Sequence, residues 1–418
     1  MDGGRSGVRA LNSDVIIIGA GIGGPTLGLM LEEAGIRSRI YESTPEIKSL
    51  GVGINIQPRA TKELAALGLE SALAALGVAA EEGSFYNRFG QLIYREPLGR
   101  FAGAEWPQFS IHRGDLQKLL VDTFVARAGA ERLLTGWRCT RVEQDSDGVT
   151  VHFEDPKTGE PLPPQRGRVA IACDGIHSAV RKQMYPDEGT HRYSGINMWR
   201  GVTRWKPYLT GASIVRIGWF KPGKMVIYPI RNAIDAEGRQ LVNWVAEIET
   251  PKHERRDWNR AGRIEDFIAP FEDWHFDWLD VPALIRNAET ILEFPMIDQE
   301  PVERWSVGRI TLLGDAAHPM LPRGANGAAQ AILDCRALTE CLKTLSDPVA
   351  ALQAYEERRL GPTTDVVLMN RKHAPDAILG EVYERTGDKP FDKIEDVISQ
   401  ADLAAHFARY RTVTTPTR

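Results

Sequence analysis

Three stretches of the 418-residue chain carry residue types that can hold phosphates and sugar hydroxyls. In Gly19-Ala20-Gly21-Ile22-Gly23-Gly24, the residues Gly19, Gly21 and Gly24 fit G-x-G-x-x-G. Such a turn lets a pyrophosphate approach backbone N–H groups at a helix N-terminus. Glu42 follows 23 residues after Gly19, where a carboxylate can accept both hydroxyls of an adenosine ribose. A carboxylate there disfavours a 2′-phosphate, so the ligand is FAD or NAD rather than NADP. The second stretch runs Gly314-Asp315-Ala316-Ala317-His318-Pro319 and then Gly324-Ala325-Asn326-Gly327. Asp315 at a strand end can hold a sugar hydroxyl. The glycine-rich helix start offers free N–H groups and a positive dipole end, suited to the anionic N1–C2=O edge of a reduced flavin. The third stretch is Cys173-Asp174-Gly175-Ile176-His177-Ser178-Ala179-Val180-Arg181, an Asp-Gly turn with Ser178 placed to cap a helix.

These residues need elements to position them. Val15–Ile18 reads as a buried parallel strand, Leu27, Met30, Leu31 and Ala34 as a helical stripe closed by Gly35, and Ser38–Tyr41 as the next strand. That is a complete β-α-β unit. Arg309–Leu313 and Val169–Ala172 are apolar strands leading into the other two stretches, and Ala328 to Leu342 has helical spacing. A helix is expected over 60–76, a proline-containing hairpin-like loop over 154–168, and a helical break at Gly361-Pro362. Residues 186–290 alternate apolar and polar positions, as strands do. Seven of the ten tryptophans lie between Trp199 and Trp278, and this lobe is expected to offer flat apolar surface to a ligand, with some of the indoles plain core.

The fold class that follows is α/β (α+β): a Rossmann-like FAD-binding domain, an interleaved antiparallel or mixed β-sheet substrate domain, and C-terminal helices. The expected pieces are a tail at 1–12, cofactor-domain segments 13–84, 107–184 and 291–345, substrate-domain segments 85–106 and 185–290, and a helical region at 346–418. Composition is that of a globular protein, with 43% hydrophobic and 26% charged residues and a net charge of −5. No nucleic-acid partner is expected from that charge. Cys139, Cys173, Cys335 and Cys341 form no Cys-x-x-Cys pair, so no metal is expected and a reducing cytoplasm fits. The uncharged run Val15–Leu31 holds five glycines and Pro25, which opposes a membrane span. A monomer or homodimer is expected.

The ordered trio GAGIGG (19–24), CDGIHSAVR (173–181) and GDAAHPMLPRGANGA (314–328) resembles the single-component FAD-dependent aromatic hydroxylases of the salicylate and 4-hydroxybenzoate type, most of all their phenazine-acting members. The resemblance runs from about Asp14 to Leu360 and includes GVGINIQPRA (51–60). It implies FAD as cofactor, NADH or NADPH as transient electron donor, and O2 and a small aromatic or heteroaromatic substrate as partners. Position by position, it implies that Gly19, Ala20, Gly21 and Gly24 hold the pyrophosphate, and Glu42 with Ser43 the adenosine ribose. Val52 would touch the flavin side, Arg113 the pyrophosphate or ribityl chain, and Cys139 the adenine through its backbone. Asp315 would bind the ribityl or pyrophosphate region, and Gly324, Ala325, Asn326 and Gly327 the isoalloxazine. Asp174 and Arg181 belong to a motif linked to both nucleotides. Arg323 departs from the apolar residue expected of phenazine-acting members. No second G-x-G-x-x-G unit exists, which argues against flavoenzymes with a separate NADPH domain.

The implied chemistry is NAD(P)H- and O2-dependent ring hydroxylation, with or without loss of a carboxylate, through a flavin C4a-hydroperoxide. The cofactor carries that step, so no catalytic residue is singled out; His318 is expected to order the loop after Asp315. Sheet alternation nominates Arg200, Tyr228, Asn243 and Trp244 as substrate-facing, with Pro319 and Arg323 from the flavin loop. Two competing readings are a flavin-binding redox sensor without turnover and a flavin dehydrogenase without oxygen insertion.

Overall fold

A computed structural model describes residues 15–48, 51–250, 260–372 and 375–414. The expected tail at 1–12 and Trp258 lie outside them.

The β-branched runs Val15–Ile18 and Val169–Ala172 are buried throughout, as strands covered on both faces must be. They form the centre of a six-stranded sheet ordered 306–307, 310–312, 169–172, 15–18, 38–42, 133–135. All pairs are parallel except the outer hairpin Ser306–Val307 with Ile310–Leu312. In register, Ile18 pairs with Ala172 and Tyr41, and Ala172 with Leu312. Gly19, Glu42, Cys173-Asp174 and Gly314-Asp315 therefore leave the sheet side by side at its carboxyl edge, where α/β folds bind ligands. Helix Gly23–Glu33 packs against helices Arg113–Ala128 and Asn326–Thr344.

An eight-stranded sheet forms the second layer, ordered 260–261, 291–298, 192–205, 240–249, 223–231, 213–219, 82–86, 92–97. It is antiparallel apart from Ser213–Trp219 with Glu82–Tyr86. Strand Ile291–Asp298, assigned by sequence to the cofactor segment 291–345, pairs instead with Arg192–Trp205 in this sheet. The hairpin at 82–97 likewise begins inside the segment expected to end at 84. Strand alternation puts Met198, Arg200, Asn243, Val245, Val226 and Tyr228 on the face toward the cofactor layer. Trp199, Trp244, Val242 and Ala246 lie on the other face.

That second face corrects the expectation for the tryptophans. Trp199, Trp244 and Trp274 are core residues, and Trp205 and Trp278 pack against them. Phe267 stacks on Trp199 with centroids 5.1 Å apart. The indole of Trp244 lies over Gly201, where a Cβ would come within 2.4 Å of the ring, and its Nε1 donates to Thr203 Oγ1 at 3.0 Å. Flat rings fill the space between the sheet and the 264–286 segment. Trp219, by contrast, packs against Phe220, with ring centroids 4.4 Å apart.

Three local expectations change. The 60–76 helix is two helices, Pro58–Ala66 and Glu70–Leu76, divided at Gly68, whose φ is +76°. The 154–168 loop contains a strand, Pro161–Gly167, at the edge of a three-stranded sheet where proline costs no ladder bond. Helix Pro348–Lys372 runs through Pro362 without a break. Gly361 offers the ring no Cβ to clash with, and the Thr363 hydroxyl donates to the Arg359 carbonyl beside the lost bond.

Candidate active site

The glycine turn separates into two kinds of glycine. Gly19 has φ +101°, and a Cβ there would meet the Cys173 carbonyl at 2.5 Å; at Gly24 a Cβ would meet the Gly19 carbonyl at 2.0 Å. Both are required for the strand and helix to approach each other. At Gly21 a Cβ would meet nothing within 4 Å. Packing does not explain that glycine, and open space in front of a helix N-terminus is what a pyrophosphate needs. The residues present thus fit a dinucleotide. Ala20 N–H donates to Glu42 Oε2 at 2.7 Å, and Thr44 N–H to Oε1 at 2.7 Å. The Ser43 hydroxyl adds a bond of 3.1 Å to Oε1. Gln117 Nε2 donates to the Ala20 carbonyl at 2.7 Å. These bonds fix the carboxylate beside the turn.

Arg113 and Asp315 keep water-accessible surface although protein surrounds them, the mark of a deep recess. Burial and nearby Arg200 pull Arg113 below the usual guanidinium value, opposed by Asp315 and Glu42. It remains a cation at neutral pH. Burial pushes Asp315 up, opposed by His318 and Arg113. The recess therefore holds one cation and one carboxylate between the glycine turn and the Gly324 loop. Cys139 is a core residue with its thiol pushed up by burial to about 12, which leaves only its backbone for a contact. Asp174 Oδ2 accepts from Ala179 N–H at 2.9 Å, and Ser178 caps the Arg181 N–H at 3.0 Å. Arg181 is buried and donates to Ala316, Ala317 and Glu300 carbonyls and to Glu188. It ties the Asp-Gly motif to the Gly-Asp motif.

Three of the four sheet residues nominated for substrate converge on one glycine. Asn243 Oδ1 accepts the Gly53 N–H at 2.7 Å, and the Gly53 carbonyl accepts from Arg200 Nη2 at 2.7 Å and Tyr228 Oη at 2.8 Å. Their role in this arrangement is to hold the Val52-Gly53 loop against the sheet. Val52 is buried, and its carbonyl accepts from Arg113 N–H at 2.9 Å. The fourth nominee, Trp244, points to the opposite face and is corrected to a core residue, 0% exposed. A Cβ at Gly53 would lie 2.7–2.8 Å from Ile230, Asn243 and Tyr228 side-chain atoms. Gly53→Ala should therefore push loop from sheet, cost about 1–3 kcal/mol and lower bound flavin per protein. Melting curves and the flavin-to-protein absorbance ratio check this; an unchanged ratio would show that the clamp is dispensable.

The loop before helix Asn326–Thr344 has two consecutive left-handed residues, Gly324 (φ +63°) and Ala325 (φ +57°). A non-glycine residue in that region is strained by about 1 kcal/mol or more, so neighbours must impose it. Gln57 Nε2 donates to the Gly324 carbonyl at 2.5 Å, and Arg59 Nη2 to Asn326 Oδ1 at 2.8 Å. Asn370 Nδ2 donates to the Leu321 carbonyl at 3.2 Å. The Asn326 side chain is buried in this network, which leaves backbone N–H groups of the helix start to face a ligand. No side chain caps that start.

Behind it, Asp334 Oδ2 meets His318 Nε2 at 2.6 Å and accepts Gly314 N–H at 3.2 Å, while Oδ1 accepts from Arg359 Nε at 2.7 Å. Burial alone would raise Asp334; His318 and Arg359 outweigh it and hold the carboxyl below its usual range. His318 thus orders the loop, as expected. Gln57, Arg59, Asp334, Arg359 and Asn370 were not singled out by sequence. The only signal was the position of Gln57 and Arg59 inside the GVGINIQPRA stretch.

Between the sheet and this loop lies an apolar cluster of Ile196, Met198, Phe220, Val245, Met296 and Leu321, with Phe294 and Val226 packed against it. Pro319 is buried beside it, its carbonyl 3.4 Å from Gln299 N. Arg323 lies at its margin, 5.0 Å over the Phe220 ring.

A parallel α/β layer with this glycine turn, joined to a sheet that roofs the recess, defines a flavoprotein of the ring-hydroxylase architecture. The chain belongs to the FAD binding domain family, which its residues 12–369 match. It is 40% identical over 408 residues to a phenazine 1,6-dicarboxylic acid hydroxylase of Lysobacter antibioticus, covering 97% of this chain and 98% of that one. It is 32% identical to a 3-amino-4-hydroxybenzoate 2-monooxygenase of Streptomyces cremeus, covering 87% and 88%. The crystal structure of Klebsiella pneumoniae HpxO with FAD and uric acid superposes with a TM-score of 0.73 at 25% identity, covering 95% and 97%. The protein is an FAD-dependent aromatic-ring monooxygenase, for which NAD(P)H is the usual electron donor. No helix among the described residues is long and apolar enough to cross a membrane.

Proposed function

We propose that this enzyme hydroxylates a planar N-heteroaromatic acid, with or without loss of a carboxylate. The observation that carries the reading is the apolar cluster between the sheet and the Gly324 loop, bounded by Arg323. FAD, when bound, supplies the reduction of O2 and the transfer of oxygen to the ring. The chain's residues hold it and keep water out. Gly21 and the helix start behind it receive the pyrophosphate, Glu42 and Ser43 the adenosine ribose, and the backbone at Cys139 the adenine. Arg113 and Asp315 hold the central part of the cofactor, and Asp174 and Arg181 keep their neighbouring turns in place. Val52 and the N–H groups from Gly324 to Gly327 face the isoalloxazine, where the dipole end favours a reduced, anionic flavin. Met198, Val245, Val226 and Phe294 offer the substrate a dry apolar wall, which suits a reaction that water would divert.

The relatives' substrates support the heteroaromatic part of this reading, since one acts on a phenazine dicarboxylic acid. The scattered, unpaired cysteines fit a cytoplasmic protein. A monomer or homodimer stays our expectation.

Anaerobic mixing of the yellow protein with NADH or NADPH tests the reading. Phenazine, quinoline and benzoic carboxylic acids should speed bleaching of the flavin, and their uncharged parents should do so less. If no ring acid changes the bleaching rate, the reading fails. If bleaching is fast but aerobic turnover consumes no O2 in the presence of substrate, a flavin sensor or dehydrogenase replaces it.

A further inference from the structure

Five charged side chains gather on the cofactor-facing side of the eight-stranded sheet beside the apolar cluster. Lys224 is fully buried, its Nζ 2.9 Å from Glu247 and 2.7 Å from Asp376. Arg216 Nε lies 3.0 Å from Asp376. These two cations and two carboxylates balance. Arg323 is a fifth charge, and among the described residues no carboxylate lies within 4.0 Å of it. Asp376 feels its field but is already shared by Lys224 and Arg216.

The guanidinium of Arg323 is poorly provided with acceptors. Nη1 has a long bond of 3.4 Å to the Asn370 carbonyl, Nη2 lies 3.7 Å from the Met296 sulfur, and Nε is buried with no partner among the described residues. Its Cζ lies 5.0 Å from the centroid of the Phe220 ring. A guanidinium carries five donors in a fork that matches a carboxylate, and desolvating one without strong acceptors is costly. The neighbours of Arg323 are the residues of the apolar cluster, Met296 and Phe220, and the next residue is Gly324 of the cofactor loop. A solvated loop arginine would have neither a buried Nε nor these contacts. Arg200, a further cation on this face, already donates to the Gly53 carbonyl.

We propose that Arg323 selects an anionic ring substrate, binding a carboxylate on the edge of a planar molecule that lies beside Phe220. This rests on the ring-acid reading above and adds the residue that enforces it. The surplus charge beside a balanced cluster then has its counter-ion in the substrate, and a neutral ring of the same shape lacks it. Arg323 is a specificity residue: it touches the substrate away from the reacting carbon and has no part in proton or electron transfer.

The test uses FAD-loaded wild type, Arg323→Met and Arg323→Lys. The probes are phenazine-1-carboxylate with phenazine, and 2-naphthoate with naphthalene. Binding is read from the perturbation of the flavin absorbance band. Replacing a charge-assisted bond in a partly desolvated site should weaken the acids about tenfold or more in Arg323→Met, with the neutral partners changed by less than about threefold. Arg323→Lys should recover part of the loss, because it keeps the charge without the fork. Equal loss for acid and neutral partner, or unchanged acid affinity in a variant that retains FAD and melts as the wild type does, overturns the proposal. Failure of the wild type to bind either acid overturns the ring-acid reading, and the proposal with it.

Discussion

Asp334→Ala should cost about 3–5 kcal/mol of stability and release most of the flavin, the loss typical of stranding a buried charge. Asp334 is 0% exposed and is the shared acceptor of His318, Arg359 and the Gly314 N–H. Among the described residues, removing it leaves the buried Arg359 side chain with its bond to Gln330 alone. It also frees the turn that presents Asp315. Asp334→Asn keeps the volume and an acceptor for Gly314 but loses the charge, so it should fall between wild type and Asp334→Ala. The pH dependence has a definite sign. His318 and Arg359 hold the folded-state carboxyl below its unfolded value of about 3.9. Its contribution is therefore present above that value and is lost as pH falls through the lower, folded-state pKa. Asp334→Ala should flatten the acid limb of the stability profile. Melting curves across the acid range check both effects; an Asp334→Ala protein within about 1 kcal/mol of wild type would show the network to be marginal.

Two glycines of one turn should respond in opposite ways. Gly21→Leu should fold, because nothing in the protein lies within 4 Å of the added Cβ, and should lose FAD affinity by roughly two orders of magnitude or more. The estimate follows from displacing two charge-assisted N–H bonds to a pyrophosphate, at about 1.5–3 kcal/mol each. Gly24→Ala should instead damage the fold, because its Cβ would sit 2.0 Å from the Gly19 carbonyl and neither backbone can yield. Circular dichroism with FAD titration separates the outcomes. A Gly21→Leu protein that retains flavin would place the pyrophosphate elsewhere. A Gly24→Ala protein that melts as wild type does would refute the packing argument.

The contrast between these glycines marks what a sequence can convey. Strand Val15–Ile18, the turn, helix Gly23–Glu33 and Glu42 are close in the chain, and local pattern specifies them. The carboxyl-edge alignment of Gly19, Asp174 and Asp315 follows from parallel-sheet rules once three strands are recognised. Long-range side-chain convergence is different. Asn243, Tyr228 and Arg200 meet Gly53 across 147–190 positions, and alternation alone gives a face but not a partner. Asn243 and Trp244 are consecutive in one strand, so alternation allows only one of them on the substrate side, and an apolar residue suits either face of a sheet covered on both sides. Of the described tryptophans between Trp199 and Trp278, five fill or pack against the core behind the eight-stranded sheet. Asp334 and Arg359 were missed because buried ion pairs on facing helices have no short motif.

The central claim is that this protein inserts oxygen from O2 into an aromatic ring acid, using flavin and NAD(P)H. The most direct test is aerobic turnover under ¹⁸O2 with a carboxylic acid that speeds flavin bleaching, followed by mass spectrometry of the product. The account predicts product carrying a single ¹⁸O atom, formed in step with NAD(P)H consumed. Unlabelled product, or NAD(P)H oxidation that yields only hydrogen peroxide with every ring acid tried, would contradict it.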